Sequence, residues 1–322
     1  MTLQRPDSKL ETAIQPEISV IIPTFNRCEM VQRAIDSVLA QKKVSFECLV
    51  IDDGSTDGTF DLLKEKYADE LMENGGRLLL LSQDNRGVSA ARNSAIAQSR
   101  GQYISLLDSD DEWESTMLSE LLGYMQQHKY EICQTGELWM RNGKRVNPGK
   151  RHRKQEGFFY EKSLELCLIS PSAVMFTRAL WDRLGPFDES MAACEDYDLW
   201  LRVCLCYPVG LLNKPLMIRH GGRDDQLSMS VDCQDYFRIK AMVKILSGEL
   251  PPRANIPQLT REQRSVTLDI LRLKSSIYLN GLEKRGKVQE GEALWNLICN
   301  VVDRTLDEVR QIVADRKNRP AK

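Results

Sequence analysis

Short continuous apolar runs alternate with segments of helical period through the first hundred residues. Residues 18–25 (ISVIIPTF), 46–54 (FECLVIDDG), 77–82 (RLLLLS) and 102–108 (QYISLLD) have the length and apolar density of buried strands. Between the first two, residues 28–41 place Met30, Val31, Ala34, Ile35 and Val38 on one helical face. Residues 59–68 suit a short helix, and residues 87–99 (GVSAARNSAIAQS) a helix of small residues. Strands that are apolar on both faces and alternate with helices predict an α/β fold. Its sheet is mostly parallel, Rossmann-like and covered by helices on both sides.

The pattern continues less regularly. A helix and a strand are expected over residues 113–141, a strand over 172–178, a turn at 185–190 and a strand over 210–220 that ends at His220. Residues 194–206 (CEDYDLWLRVCLC) predict a helix with acids in its first turn, where the helix dipole favours them. Residues 141–154 (RNGKRVNPGKRHRK) read as a solvated basic loop, or as a lid beside an anionic ligand. Beyond residue 232 only helical period remains, with Val266, Ile270, Leu273 and Ile277 at helical spacing, and the period recurs in residues 288–302 and 306–316. The chain therefore divides into a polar lead-in (1–16), an α/β domain (17–231) and a helical C-terminal domain (232–322). The last of these is expected to pack on the rest or to hold a second copy in a homo-oligomer.

Composition narrows the classes. A chain of 322 residues has room for one large α/β domain and an appendage. A net charge of −2 gives no global attraction to nucleic acid. No run of 18 apolar residues is present to span a bilayer, and the first 17 residues lack a signal-peptide core. A cytoplasmic protein is expected, within reach of acceptors on the inner face of a membrane. The nine cysteines form no Cys-x-x-Cys and the histidines number three, which points to reduced buried thiols rather than a zinc module.

The candidate chemistry lies at the strand ends. In a sheet of this kind ligands bind at the carboxyl ends of the strands. There the chain sets Pro23-Thr24-Phe25-Asn26, Asp52-Asp53-Gly54 and the cluster Asp108, Asp110, Asp111, Glu112. A calcium loop starting at Asp53 fails because Lys64 holds the twelfth position, where a bidentate glutamate belongs. DSDDEW fails because Trp113 stands where such a loop needs glycine. A strand-end Asp-x-Asp suits a magnesium or manganese ion shared with substrate phosphates. The plainer readings are local: Asp52, Asp53 and Asp57 capping a turn, and Asp111 and Glu112 capping a helix that begins near Trp113. Likewise Arg92 and Asn93 would pin a helix to the sheet edge, and Trp200 and Leu201 belong in the core.

Four segments, VIIPTFNR, VIDDGSTDGT, NRGVSAARNSAIAQSRGQYISLLDSDDEW and EDYDLWLR, occur in that order. Over about residues 17–230 this set resembles the family 2 glycosyltransferases of GT-A fold. The resemblance implies transfer of a sugar from a nucleoside diphosphate sugar to an acceptor hydroxyl, with inversion at the anomeric carbon. By position, Pro23 and Phe25 would line the base and Asp53 would accept a hydrogen bond from it. The imide N–H of uracil fits that role, so a UDP-sugar is the expected donor. Arg86 would lie near the nucleotide, Asp108 near the ribose or metal waters, and Asp110 on the divalent cation, manganese or magnesium. Asp196 matches the catalytic base, and Glu195 a residue holding acceptor or sugar. His220 stands where relatives supply a further metal ligand, although HGGRDDQLSMS departs from the usual spacing and leaves that role open. The implied setting is synthesis of a cell-surface glycan or glycoconjugate, with sugar and acceptor unspecified. A nucleotidyltransferase would need a glycine-rich loop after the first strand, and PTFNRCEM has none. The alternative is a degenerate domain that binds sugar nucleotides as a scaffold. Loss of Asp110 or Asp196 would mark it, and both are present.

Overall fold

The structure is a computed structural model and describes residues 15–222 and 234–302. The expected helix over 306–316, and most of the insertion after His220, lie outside the described residues. The first half alternates as β1 (Ile18–Thr24), α1 (Cys28–Leu39), β2 (Phe46–Asp52), α2 (Thr59–Lys66), β3 (Leu78–Ser82), α3 (Val88–Gln98) and β4 (Tyr103–Leu106). Every residue of β1 and β2 is buried, as strands covered on both faces require. In α1, Val31, Ala34, Ile35 and Val38 are buried and Met30 lies at the margin.

The second half contributes β5 (Glu112–Trp113), α4 (Met117–His128), β6 (Ile132–Arg141), β7 (Lys144–Val146), α5 (Tyr160–Glu165), β8 (Val174–Thr177), α6 (Arg178–Leu184), α7 (Glu195–Cys206) and β9 (Gly210–Gly221). All described strands join one sheet in the order β3-β2-β1-β4-β8-β6-β9-β5, with β7 paired to β6. The sheet is parallel only from β3 to β4 and from β6 to β9. Two antiparallel pairings, β4 with β8 and β8 with β6, bring β6 back to the direction of β4. The C-terminal ends of β1, β2, β4, β6 and β9 therefore open on one rim.

Three expectations need correction. Residues 141–154 are not a plain loop: Lys144–Val146 folds back on β6 as an antiparallel hairpin. Its turn is Asn142-Gly143, with φ of 49° and 73°, the left-handed pair that a tight hairpin demands. Asp111 and Glu112 cap no helix, because Glu112–Trp113 is a strand paired to β9 and α4 starts after Thr116. The third concerns the C-terminal helices α8 (Gln234–Ser247), α9 (Arg261–Lys284) and α10 (Val288–Ile298). The buried face of α9 is Thr267, Leu271, Ser275, Ser276, Leu279 and Leu282, while Ile277 is 51% exposed. Of the expected face, Val266 and Ile270 do pack, half-buried, against the core, whereas Ile277 lies outside the contact, where serines take its place.

Alternate residues of the strands feed two cores. Val20, Ile22, Cys48 and Val50 pack against α1, α2 and α4. Ile21, Leu49, Ile51 and Ile104 belong to a second cluster that also contains Tyr197, Ile239, Leu271 and Leu294. Sheet, α7 and the C-terminal helices thus share one apolar interior. A buried polar knot reinforces it: Lys244 of α8 donates to Asp188 and to Asp198, each at 2.6 Å. Asp198 also takes Arg202 at 2.9 Å, and Arg202 donates to the carbonyls of Leu184, Gly185 and Pro186.

Candidate active site

The rim begins at the end of β1. Pro23 is buried in the strand opposite Ile51, and Phe25, one residue beyond its end, is 44% exposed. At the end of β2, Asp52 accepts the Ser55 N–H at 2.6 Å, and Asp57 accepts from Thr59, so these two act locally as expected. Asp53 shapes the neighbouring loop. Its Oδ1 accepts from Gln83 Nε2 (2.6 Å) and the Arg86 N–H (3.0 Å), and its Oδ2 from the Gly87 N–H (2.8 Å). Gly54 makes this possible, for it sits at φ 79° and a Cβ there would lie 2.8 Å from the Asn85 nitrogen. The exposed Arg86 side chain donates to Gln83 and Ser94 and stands 4.0 Å from Glu189.

Past β4 the chain turns sharply, and Asp108, Asp110 and Asp111 bring carboxylate oxygens within 4.8 Å of one another. Asp108 accepts from Arg92 at 2.7 Å, and Arg27 stands 3.5 Å from Asp110. Asp111 is only 5% exposed and accepts the His220 N–H at 3.1 Å. Burial, and then the charges of Asp110 and Asp108, push its carboxyl up to about 8. His220 is not part of this group: its Nε2 pairs with Glu112 at 2.8 Å. Three crowded carboxylate oxygens are the donor type that suits a hard divalent cation.

A pH test follows. The metal-free fold is favoured while Asp111 stays protonated, so stability falls as pH rises from the ordinary 3.8 towards about 8. Saturating manganese should oppose that fall, since it needs the carboxylate. Thermal melts should show a larger manganese-induced gain at about pH 8 than at about pH 5. Equal gains at both would exclude Asp111 from the ion's surroundings.

Opposite the cluster, α7 begins with Glu195 and Asp196. Arg92, buried in the small-residue helix α3, joins the two sides: one guanidinium nitrogen reaches Asp108 and the other Glu195, at 2.6 Å. Its guanidinium also stacks 5.2 Å from the Phe187 ring centroid. Asp196 keeps partial exposure, accepting from its neighbour's N–H at Tyr197 (2.7 Å) and from the Cys167 thiol (3.5 Å). Burial raises the pKa of both acids, against the charge of Arg92. Asn93 pins α3 to the turn before α7 rather than to the sheet edge, exchanging hydrogen bonds with the Phe187 backbone at 2.9 and 3.0 Å.

In sequence and in fold the chain is similar to known proteins. The model for Glycosyl transferase family 2 matches residues 19–184. The chain belongs to that family. The chain is 29% identical over 242 residues to chondroitin synthase of Escherichia coli, covering 73% of this chain and 34% of that protein. It thus spans about a third of that relative's length. It is 31% identical over 166 residues to the putative teichuronic acid biosynthesis glycosyltransferase TuaG of Bacillus subtilis, covering 51% of this chain and 63% of the relative. Among solved structures, S. aureus TarS 1-349 in complex with UDP-GlcNAc shares the fold, with a TM-score of 0.69 and 21% identity over 91% of this chain and 82% of that one. The neighbours are GT-A glycosyltransferases, in agreement with the expected fold.

Sequence reasoning left three residues of the candidate site without a role there: Arg92, Asp111, and Arg219, whose charge is favoured by Glu137, Asp111, Asp108 and Asp196. Arg92 was recoverable, because a lone arginine on a face of Ala90, Ala91 and Ala95 needs a buried acid. Asp111 belonged to the same motif as Asp108 and Asp110. Arg219, one residue before His220, carried no signal of its own.

Proposed function

We propose that the enzyme transfers a sugar from a UDP-sugar to an acceptor hydroxyl by metal-assisted direct displacement with inversion, in cell-surface glycan synthesis at the cytoplasmic face of a membrane. The observation that carries this reading is Arg92, which fastens Asp108 on the donor rim to Glu195 at the start of the base helix. The UDP-bound TarS neighbour and the polysaccharide-building relatives support donor and setting. Among the described residues no helix is long and apolar enough to cross a membrane.

In this mechanism Phe25 offers an aromatic face to the base. Asp53 has an acceptor lone pair to spare on Oδ2 for its N–H, beyond the single bond from Gly87. Asp110, with Asp108 and Asp111, would hold a divalent cation. When bound, it would offset negative charge on the departing diphosphate. Asp196 takes the proton of the acceptor hydroxyl as that oxygen attacks, on the face of the sugar away from the diphosphate. Glu195 is engaged with Arg92 and so keeps the two sides in register. One displacement requires no nucleophilic serine or cysteine.

Asp110→Ala should weaken manganese-dependent UDP-sugar binding by at least the ~10–100-fold that even an outer-shell partner costs, with the fold intact. Calorimetry with and without manganese measures this, and wild-type affinity in the variant would remove the metal assignment. Manganese-dependent hydrolysis of the UDP-sugar separates the enzyme from a sugar-nucleotide-binding scaffold, which should show none.

A further inference from the structure

We propose that the basic hairpin of residues 141–154, with Trp139 and Arg219 at its root, receives an anionic acceptor, a glycan chain bearing carboxylates or phosphates at intervals. The inference rests on the glycosyltransferase reading and names the acceptor class for it.

Between Glu137 and Glu156 the chain has no acid, yet it carries Arg141, Lys144, Arg145, Lys150, Arg151 and Arg153. All six are exposed. Among the described residues none of the six forms an ion pair, in a protein whose net charge is −2. Such a local excess of one sign attracts an extended polyanion.

The hairpin's place ties it to the reaction. β6 runs in the direction of β4, so its end opens on the rim that carries Asp108. Next to it on β9, Arg219 lies opposite Trp139 and His220 opposite Met140. The root is built rather than loose. Glu137, its side chain 5% exposed, accepts from Trp139 Nε1 at 2.7 Å, pairs with Lys154, and stands 4.0 Å from Arg219. Arg219 lies 5.1 Å over the Trp139 ring with its side chain 45% exposed. The residue after Arg219, His220, donates its N–H to Asp111 at 3.1 Å, so the root of the hairpin adjoins the acidic cluster. An anion on this wall would lead its chain towards Asp196.

A membrane of anionic lipid would also attract six cations. The hairpin does not suit insertion, since between residues 141 and 154 only Val146 and Pro148 are apolar and no Phe, Tyr or Trp is present.

The experiment measures fluorescence anisotropy of labelled oligomers on the full chain: a hyaluronan octasaccharide, a glycerol phosphate octamer and neutral chitohexaose. Vesicles of phosphatidylcholine, with and without phosphatidylglycerol, are tested by co-sedimentation. At low salt at least one anionic oligomer should bind about tenfold or more tighter than chitohexaose, and salt should erase the difference. The carboxylate and phosphodiester arms tell the two sources of charge apart. Lys144→Glu/Arg145→Glu/Arg151→Glu should abolish the preference, and the milder Lys144→Gln/Arg145→Gln/Arg151→Gln should reduce it, each with an unchanged circular dichroism spectrum. Equal binding of chitohexaose, or an undiminished preference in the reversed variant, overturns the proposal. So does capture by phosphatidylglycerol vesicles without oligomer binding, which would make the hairpin a membrane contact. UDP binding with manganese is measured in parallel: its absence tells against the donor reading, whereas UDP binding without polyanion preference sinks this inference alone.

Discussion

Asp196→Asn should lower turnover by about 10²–10⁴-fold, the range for removing a general base, while UDP-sugar affinity stays near that of the wild type. The amide keeps the size of the carboxyl and can still accept the Tyr197 N–H, so the start of α7 is not disturbed. What it loses is the capacity to take a proton. Burial holds the Asp196 pKa above the ordinary 3.8, against the charge of Arg92, and the acid must be ionised to act. Wild-type kcat/KM should therefore fall as pH drops through that raised value, and the asparagine variant should lose this dependence. Glu195→Gln offers the comparison. It weakens the grip on Arg92, so its effect should reach Asp108 and donor affinity first. If Asp196→Asn keeps more than about a tenth of wild-type turnover while Glu195→Gln is dead, the base is Glu195.

Arg92→Met should be the most destabilising single change at the site. It leaves Glu195 buried beside Asp196 with no cation, and breaking a buried pair from one side costs about 3–5 kcal/mol. Asp108 loses the same partner but is a third exposed, so water compensates there. Arg92→Lys should rescue little, because one ammonium cannot span two carboxylates as the planar fork does. Arg92→Met/Glu195→Met should recover most of the lost stability and none of the turnover. Urea denaturation of the three variants gives the answer. Wild-type stability in Arg92→Met would mean that the arginine does not compensate Glu195.

The acidic part of the rim was legible because β2 and β4 are apolar on both faces and then stop at acids, a pattern that needs no partner to be read. What escaped depends on distant chain. Glu112–Trp113 becomes a strand only because Met217 and Ile218 arrive beside it. Arg92 meets Glu195 across 103 residues. Asp111 is buried because β9 lands on it, whereas its neighbour Asp108 in the same motif stays wetter. The hairpin is a different failure. Asn142-Gly143 is a strong local signal, but six surrounding cations suggested solvated chain.

The knot of Lys244, Asp188, Asp198 and Arg202 bears on how the protein is made. Translation proceeds at roughly 5–20 residues per second, from the N-terminus. Strands β1 to β4 and the acids of the rim leave the ribosome early. Helix α7 follows, but Asp188 and Asp198 await Lys244, which emerges some seconds later. Until then two carboxylates share Arg202 beneath the helix that carries Asp196. The nascent chain thus acquires the acids at the ends of β2 and β4 first and anchors the helix that carries Asp196 last, so a chain stalled between these points would hold the rim without its opposite wall.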